Sequence, residues 1–72
     1  MADIVLNVHP DLSREERVRL EQDLRDYAGV ISIHFSEEHP HLLKAVYDPD
    51  VTSSADLLVH IGERGVEAMK IG

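Results

Sequence analysis

Two kinds of apolar periodicity alternate along this 72-residue chain, and their order admits few folds. From Asp3 to Val8, Ile4, Leu6 and Val8 share one face and Asp3, Val5 and Asn7 the other, the period of two that marks a half-buried strand. His9-Pro10-Asp11 breaks this strand. Ser13-Arg14-Glu15-Glu16 then has the spacing in which a serine oxygen and a glutamate each satisfy a free amide at a helix start. Leu20, Leu24, Tyr27 and Ala28 form the apolar stripe of that helix, Arg14, Arg19 and Arg25 face water, and Gly29 closes it in the left-handed region. The period of two returns from Val30 to Ser36, with Ile31, Ile33 and Phe35 on one face and Ser32, His34 and Ser36 opposite. A polar turn, Glu37-Glu38-His39-Pro40, leads to a third strand from His41 to about Tyr47, which stops at Asp48-Pro49-Asp50. Ser53 or Ser54 caps a second helix with Leu57, Leu58 and Ile61 inward; Gly65 ends it, and Val66 to Ile71 is a fourth strand.

The order β-α-β-β-α-β, with each helix apolar along one stripe, matches the split-βαβ motif. The expected class is therefore α+β and ferredoxin-like: one domain over residues 1–72, a four-stranded antiparallel sheet with two helices on one face. Right-handed crossovers gather His9, His39, His41, Glu63 and Arg64 at one end. They also leave a bare sheet face carrying Val5, Leu42 and Val46, joined by Met69 or Ile71, which is expected to serve as an interaction surface.

Composition narrows the function. Fourteen acidic residues against seven basic ones give a net charge of −7, which repels a phosphate backbone and argues against nucleic acid. No apolar run approaches the roughly 20 residues that cross a bilayer. The N-terminus has no basic flank and apolar stretch of the signal-peptide kind, so membrane insertion is not expected and the cytoplasm is the expected compartment. A chain of this length buries only about 60% of its unfolded surface, leaving little room for a deep catalytic cleft. No nucleophile, base and orienting acid are suggested by spacing and no glycine-rich phosphate loop is present, so neither an enzyme nor an organic cofactor is expected. There is no cysteine, and any metal must be held by nitrogen and oxygen.

From Leu20 onward the chain resembles the heavy-metal-associated domains of copper chaperones and of metal-transporting ATPases. Leu20, Leu24 and Tyr27 sit where that family keeps its first-helix apolar residues, and Gly29-Val30 matches its Gly-Val at the start of the second strand. Val46-Tyr47-Asp48-Pro49 matches the end of its third strand, and Ile61, Gly65, Val66 and Ala68 match its I-x-x-x-G-Y-x-A at the family's spacing, with Val66 in place of the aromatic residue. The resemblance covers about three-quarters of the chain, through Gly72, and implies the same fold and a role in metal homeostasis. It also implies that the family's two metal-binding cysteines would fall on Ser13 and Glu16, and that its G-M-T stretch becomes Pro10-Asp11-Leu12. Two thiolates are what favour Cu(I), so the family's usual copper mechanism does not carry over.

What can still ligate is His39-Pro40-His41, two imidazoles flanking a rigid residue at a turn, with His9, Glu38 and Glu37 as further donors. Such donors suit Zn(II), Ni(II), Co(II), Cu(II) or Fe(II). The competing reading of the same residues is an ordinary polar hairpin. His34 reads as a surface histidine and His60 as a boundary residue of the second helix, while Glu16 is already explained as half of a helix cap. Three functions compete. In the first, the domain binds or hands on a metal through histidine and carboxylate, or docks to a transporter. In the second it is a metal-independent interaction or homodimerisation module, and in the third a small-ligand regulatory domain.

Overall fold

A computed structural model describes residues 1–9 and 11–71. Its elements are β1 (Ala2–His9), α1 (Arg14–Arg25), β2 (Val30–Phe35), β3 (Leu42–Tyr47), α2 (Ser54–Gly62) and β4 (Glu67–Lys70). The strands form one antiparallel sheet in the order β2-β3-β1-β4, so the ferredoxin-like arrangement expected from the periodicities is the one observed. Ile4, Leu6 and Val8 of β1 and Leu43, Ala45 and Tyr47 of β3 are buried on one sheet face, where they meet Leu20 and Leu24 of α1 and Leu57 and Ile61 of α2. Pro10, read as the break after the first strand, and Gly72 lie outside the described residues.

Both helix starts follow from their serines. The Glu16 backbone N–H donates to Ser13 Oγ (3.2 Å) while the Ser13 N–H donates to Glu16 Oε1 (3.0 Å), a complete capping box. Ser53, and not Ser54, caps α2, its hydroxyl accepting from the Asp56 N–H at 3.1 Å. The helix ends differ from the reading of the glycines. Helix α1 stops at Arg25 with Asp26 as its cap, so Ala28 lies beyond the helical period and is exposed. Gly29 does have a positive φ of 92°, but it lies in the turn just before β2, three residues past the Asp26 cap. A Cβ there would lie 2.8 Å from Thr52 Cγ2 and 3.0 Å from Val51, so the site needs glycine for its backbone and for its space. Helix α2 likewise ends at Gly62, three residues before Gly65, and β4 is shorter at both ends than Val66 to Ile71.

One inward assignment is corrected. Ile31 is 54% exposed, because Val30 pairs with Tyr47 and Ser32 with Val46, leaving Ile31 as an unpaired bulge residue. The extra residue shifts the alternation, so that Val30 and Ile33, three apart, both turn to the core. Strict period-two counting cannot see a bulge.

The two sheet edges are not alike. On β2 the guanidinium of Arg25 donates to the outward carbonyl of Ile33 at 3.2 Å, which together with the bulge blunts that edge against strand addition. Residues just past each helix reach back to the other: Arg64, beyond α2, donates from Nη1 to Asp23 Oδ2 of α1 at 2.7 Å, and the Tyr27 ring, beyond α1, stacks on His60 of α2 with centres 3.8 Å apart. His60 is thus a half-buried boundary residue, as its position beside the α2 stripe implied.

Candidate functional site

The end of the molecule that holds the β1–α1 loop also holds the β2–β3 hairpin. The hairpin turns tightly: the Leu42 N–H donates to the His39 carbonyl at 2.8 Å, with Pro40 at the position where its fixed φ favours a turn. The Ser36 hydroxyl accepts from the His39 N–H at 3.2 Å, and the Ser36 N–H donates to the Leu42 carbonyl at 2.9 Å, so the turn is anchored on both sides. A turn of this kind places its first and third residues side by side. The His39 and His41 rings stand edge to face, their centres 6.0 Å apart, and both side chains are exposed.

The hairpin rests against the loop that precedes α1. The Val8 N–H donates to the His41 carbonyl at 2.8 Å, and a small cleft of 260 Å³ is lined by Asp11, Leu12 and Arg17 on one side and Pro40 and His41 on the other. Arg17 closes the loop by donating from Nη1 to the Leu12 carbonyl at 2.7 Å. Ser13 and Glu16, where the family resemblance places two thiols, are occupied with each other in the capping box. The hydrogen bond from the Ser13 backbone, and then that involving its hydroxyl, hold the Glu16 carboxyl below its ordinary range; Arg19 adds a smaller pull in the same direction against slight desolvation.

The remaining donors are dispersed. His9 ends β1 opposite Glu67 of β4 and lines a mainly apolar cavity of 790 Å³ with Leu58, Gly62 and Met69. Glu38 faces an open groove of 920 Å³ that also takes Arg14, Arg17, Glu37 and Lys44. Among the described residues no three histidine or carboxylate side chains converge as a metal-ligand set. The groove's cations were not anticipated as a group. Arg14 and Arg17, three apart, do share a helix face, but only the packing of α1 beside the hairpin puts Lys44 with them.

On the opposite sheet face the register aligns Asp3 with Val46, Val5 with Lys44 and Asn7 with both Leu42 and Met69. Val5, Leu42 and Val46 are half-buried there, shielded by these neighbours, and Met69 at 70% is the most exposed apolar side chain of β4. His34 is exposed beside Lys44 on the same face.

This fold is that of the heavy-metal-associated domains. The copper-binding domain of HMA7, a P-type ATPase, superposes with a TM-score of 0.88 at 21% identity, over 100% of this chain and 96% of that one. The CopZ metallochaperone does so with a TM-score of 0.83 at 19% identity, over 94% of this chain and 100% of its own. Oxidized MerP from Ralstonia metallidurans CH34 gives 0.86 at 14% identity, over 99% and 97%. At such identities the likeness is one of fold. No family model matches the sequence, and no curated protein matches it significantly. No helix among the described residues is long and apolar enough to cross a membrane.

Proposed function

We propose that this chain is a metal-homeostasis module on the heavy-metal-associated fold, one that holds a divalent ion at its β2–β3 hairpin through imidazole. It acts by binding and handing on, without catalysis. The observation that carries this reading is the pairing of His39 and His41 at 6.0 Å. Two imidazoles on one tetrahedral ion, with nitrogen–metal bonds of about 2.0–2.1 Å, have ring centres roughly 5 Å apart. Closing the observed pair by about 1 Å needs only side-chain torsions at an exposed turn. Glu37 and Glu38, next to the pair in sequence, favour a cation, and water would complete the shell, because His9 and Glu38 do not converge on the two rings. Nitrogen and oxygen donors favour Zn(II), Ni(II), Co(II), Cu(II) or Fe(II) over Cu(I). Open positions around an ion held by two side chains suit transfer to a partner such as a transporter, and the expected setting is cytoplasmic.

The test is an NMR titration of the metal-free chain with Zn(II), Ni(II), Co(II) and Cu(II). Saturable shifts or broadening at His39 and His41, lost in the H39A/H41A double variant, are expected. No perturbation at either ring below millimolar ion would sink the reading.

A second reading has its own support. The capping box occupies both positions where thiols would sit, while the helix-free sheet face keeps Val5, Leu42, Val46 and the exposed Met69. On that reading the domain binds a protein partner through the sheet, and chelator leaves the interaction unchanged.

A further inference from the structure

The two edges of the sheet differ in what they offer a further strand. β2 is blunted by its bulge and by Arg25, whereas β4 pairs with β1 without a break and has no strand on its other side. The Ile71 N–H donates to the Val5 carbonyl at 2.9 Å, and in the same register Met69 lies opposite Asn7 and Glu67 opposite His9. Antiparallel pairs alternate, so Glu67, Met69 and Ile71 turn their backbone groups to β1 while Ala68 and Lys70 turn theirs outward. The cavity at this edge is lined from both sheet faces, by Asn7 and Met69 on one and by Leu58 and Ala68 on the other, so a strand laid on β4 would lie along it. We infer that a second copy of the chain occupies this edge, β4 pairing antiparallel with β4 and α2 packing on α2, with no metal required.

Helix α2 is apolar on two sides. Leu57 and Ile61 face the core, while Ala55, Leu58, Val59 and Gly62, spaced i, i+3, i+4 and i+7, form a second stripe toward the β4 edge, with Val59 60% exposed. His60 turns the other way, onto Tyr27. Leu58 and Ala68 line one cavity, which puts the middle of this stripe level with the middle of β4. A single two-fold axis across the edge therefore serves strand and helix together. It sets Ala68 opposite its own counterpart or opposite Lys70 of the other copy, so that outward amides meet outward carbonyls. It also brings the two helices together at Leu58 and Val59, with Ala55 of each copy near Gly62 of the other. An isolated peptide strand would satisfy the edge but leave Ala55 and Val59 uncovered. Charge favours the same partner: residues 54–72 carry three acids and two bases, a net of −1 out of the total of −7, so two copies repel least across this edge.

The experiment is sedimentation velocity on the full chain in EDTA, from low micromolar to near-millimolar concentration, with amide hydrogen exchange followed by NMR at both extremes. The expected result is a reversible monomer–dimer equilibrium in which the Ala68 and Lys70 amides are protected only where the dimer prevails. Val59→Glu should weaken the dimer by about tenfold or more, while Ile31→Glu, which adds the same charge at the exposed bulge of the other edge, should leave it unchanged. Both variants are checked for native circular dichroism. A chain that stays monomeric in EDTA at every concentration would overturn the inference, whether or not an ion binds at the hairpin. A dimer that Val59→Glu leaves intact, or in which the Ala68 and Lys70 amides still exchange freely, would overturn the β4 contact in favour of an interface elsewhere.

Discussion

The two ends of this molecule are built on opposite principles. At one end, the turn between α1 and β2 meets the turn between β3 and α2, and backbone constraints leave almost no freedom. Gly29 lies against Val51 and Thr52 with a positive φ, its carbonyl accepts from the Asp48 N–H at 2.8 Å, and the Asp48 carbonyl in turn accepts from the amides of Val51 and Thr52. At the other end, the β1–α1 loop and the β2–β3 hairpin are held by a few turn and cap hydrogen bonds, and the side chains of His39, His41, Glu37 and Glu38 are exposed. The first end is fixed by packing and backbone constraint; the second is held by turn and cap hydrogen bonds and leaves its side chains exposed. Separating the two lets ligands vary at little cost in stability, as in many proteins whose binding residues sit on loops carried by a rigid scaffold.

The contrast can be broken most directly at Gly29. Gly29→Ala forces a left-handed conformation on a residue with a Cβ and drives that Cβ into Thr52, so a loss of roughly 2–4 kcal/mol is expected, a large part of the stability of a small domain. Urea denaturation reads it. A variant within about 0.5 kcal/mol of the parent would show that the closed end is far more compliant than its packing implies.

Next in size is the cap at the open end. Ser13→Ala leaves an amide of the first turn of α1 without its partner and should cost about 1 kcal/mol, lowering the melting temperature by about 4–8 °C in a domain of this size. That variant would show how far the loop end contributes to folding. If it proved as damaging as Gly29→Ala, the proposed division of labour would be wrong.

A smaller effect separates the capping box by pH. Glu16 has a carboxyl pKa lowered in the folded state by its bonds to Ser13, so its contribution is present above the unfolded carboxylate range and is lost as pH falls through the folded value. The difference between the parent and Glu16→Ala should accordingly shrink from pH 7 to pH 3 in matched urea titrations. A difference that grows in acid would contradict the sign of the shift.

The smallest expected change is at the hairpin tip. His39→Ala and His41→Ala should each alter stability by less than about 0.5 kcal/mol, because both side chains are exposed. Removing either should nevertheless abolish metal-induced shifts at the other. Stability and binding would thus come apart at the hairpin end, while the Gly29 end governs stability alone.

Much of the architecture was legible without coordinates. Ile4, Leu6 and Val8 alternate as β1 does, Ser13 and Glu16 announce the start of α1, and the β-α-β-β-α-β order leaves one economical topology. These signals are local, and each element's own backbone demands them. The pairing of His39 with His41 was also visible, since a proline between them makes a turn. Ile31 was misplaced because a bulge is decided by how β2 registers against β3, and the end of α1 was misplaced because Gly29 answers to Val51 and Thr52, more than twenty residues away.

Residue types and their spacing were thus sufficient for the elements, their order and the absence of a thiolate site, because those depend on short-range backbone geometry and on which donor atoms exist. Whether donors converge depends on distances between segments remote in sequence. Packing left His9 against Glu67 and put Glu38 beside Arg14, Arg17 and Lys44, and only His39 and His41, set by their own turn, remained together.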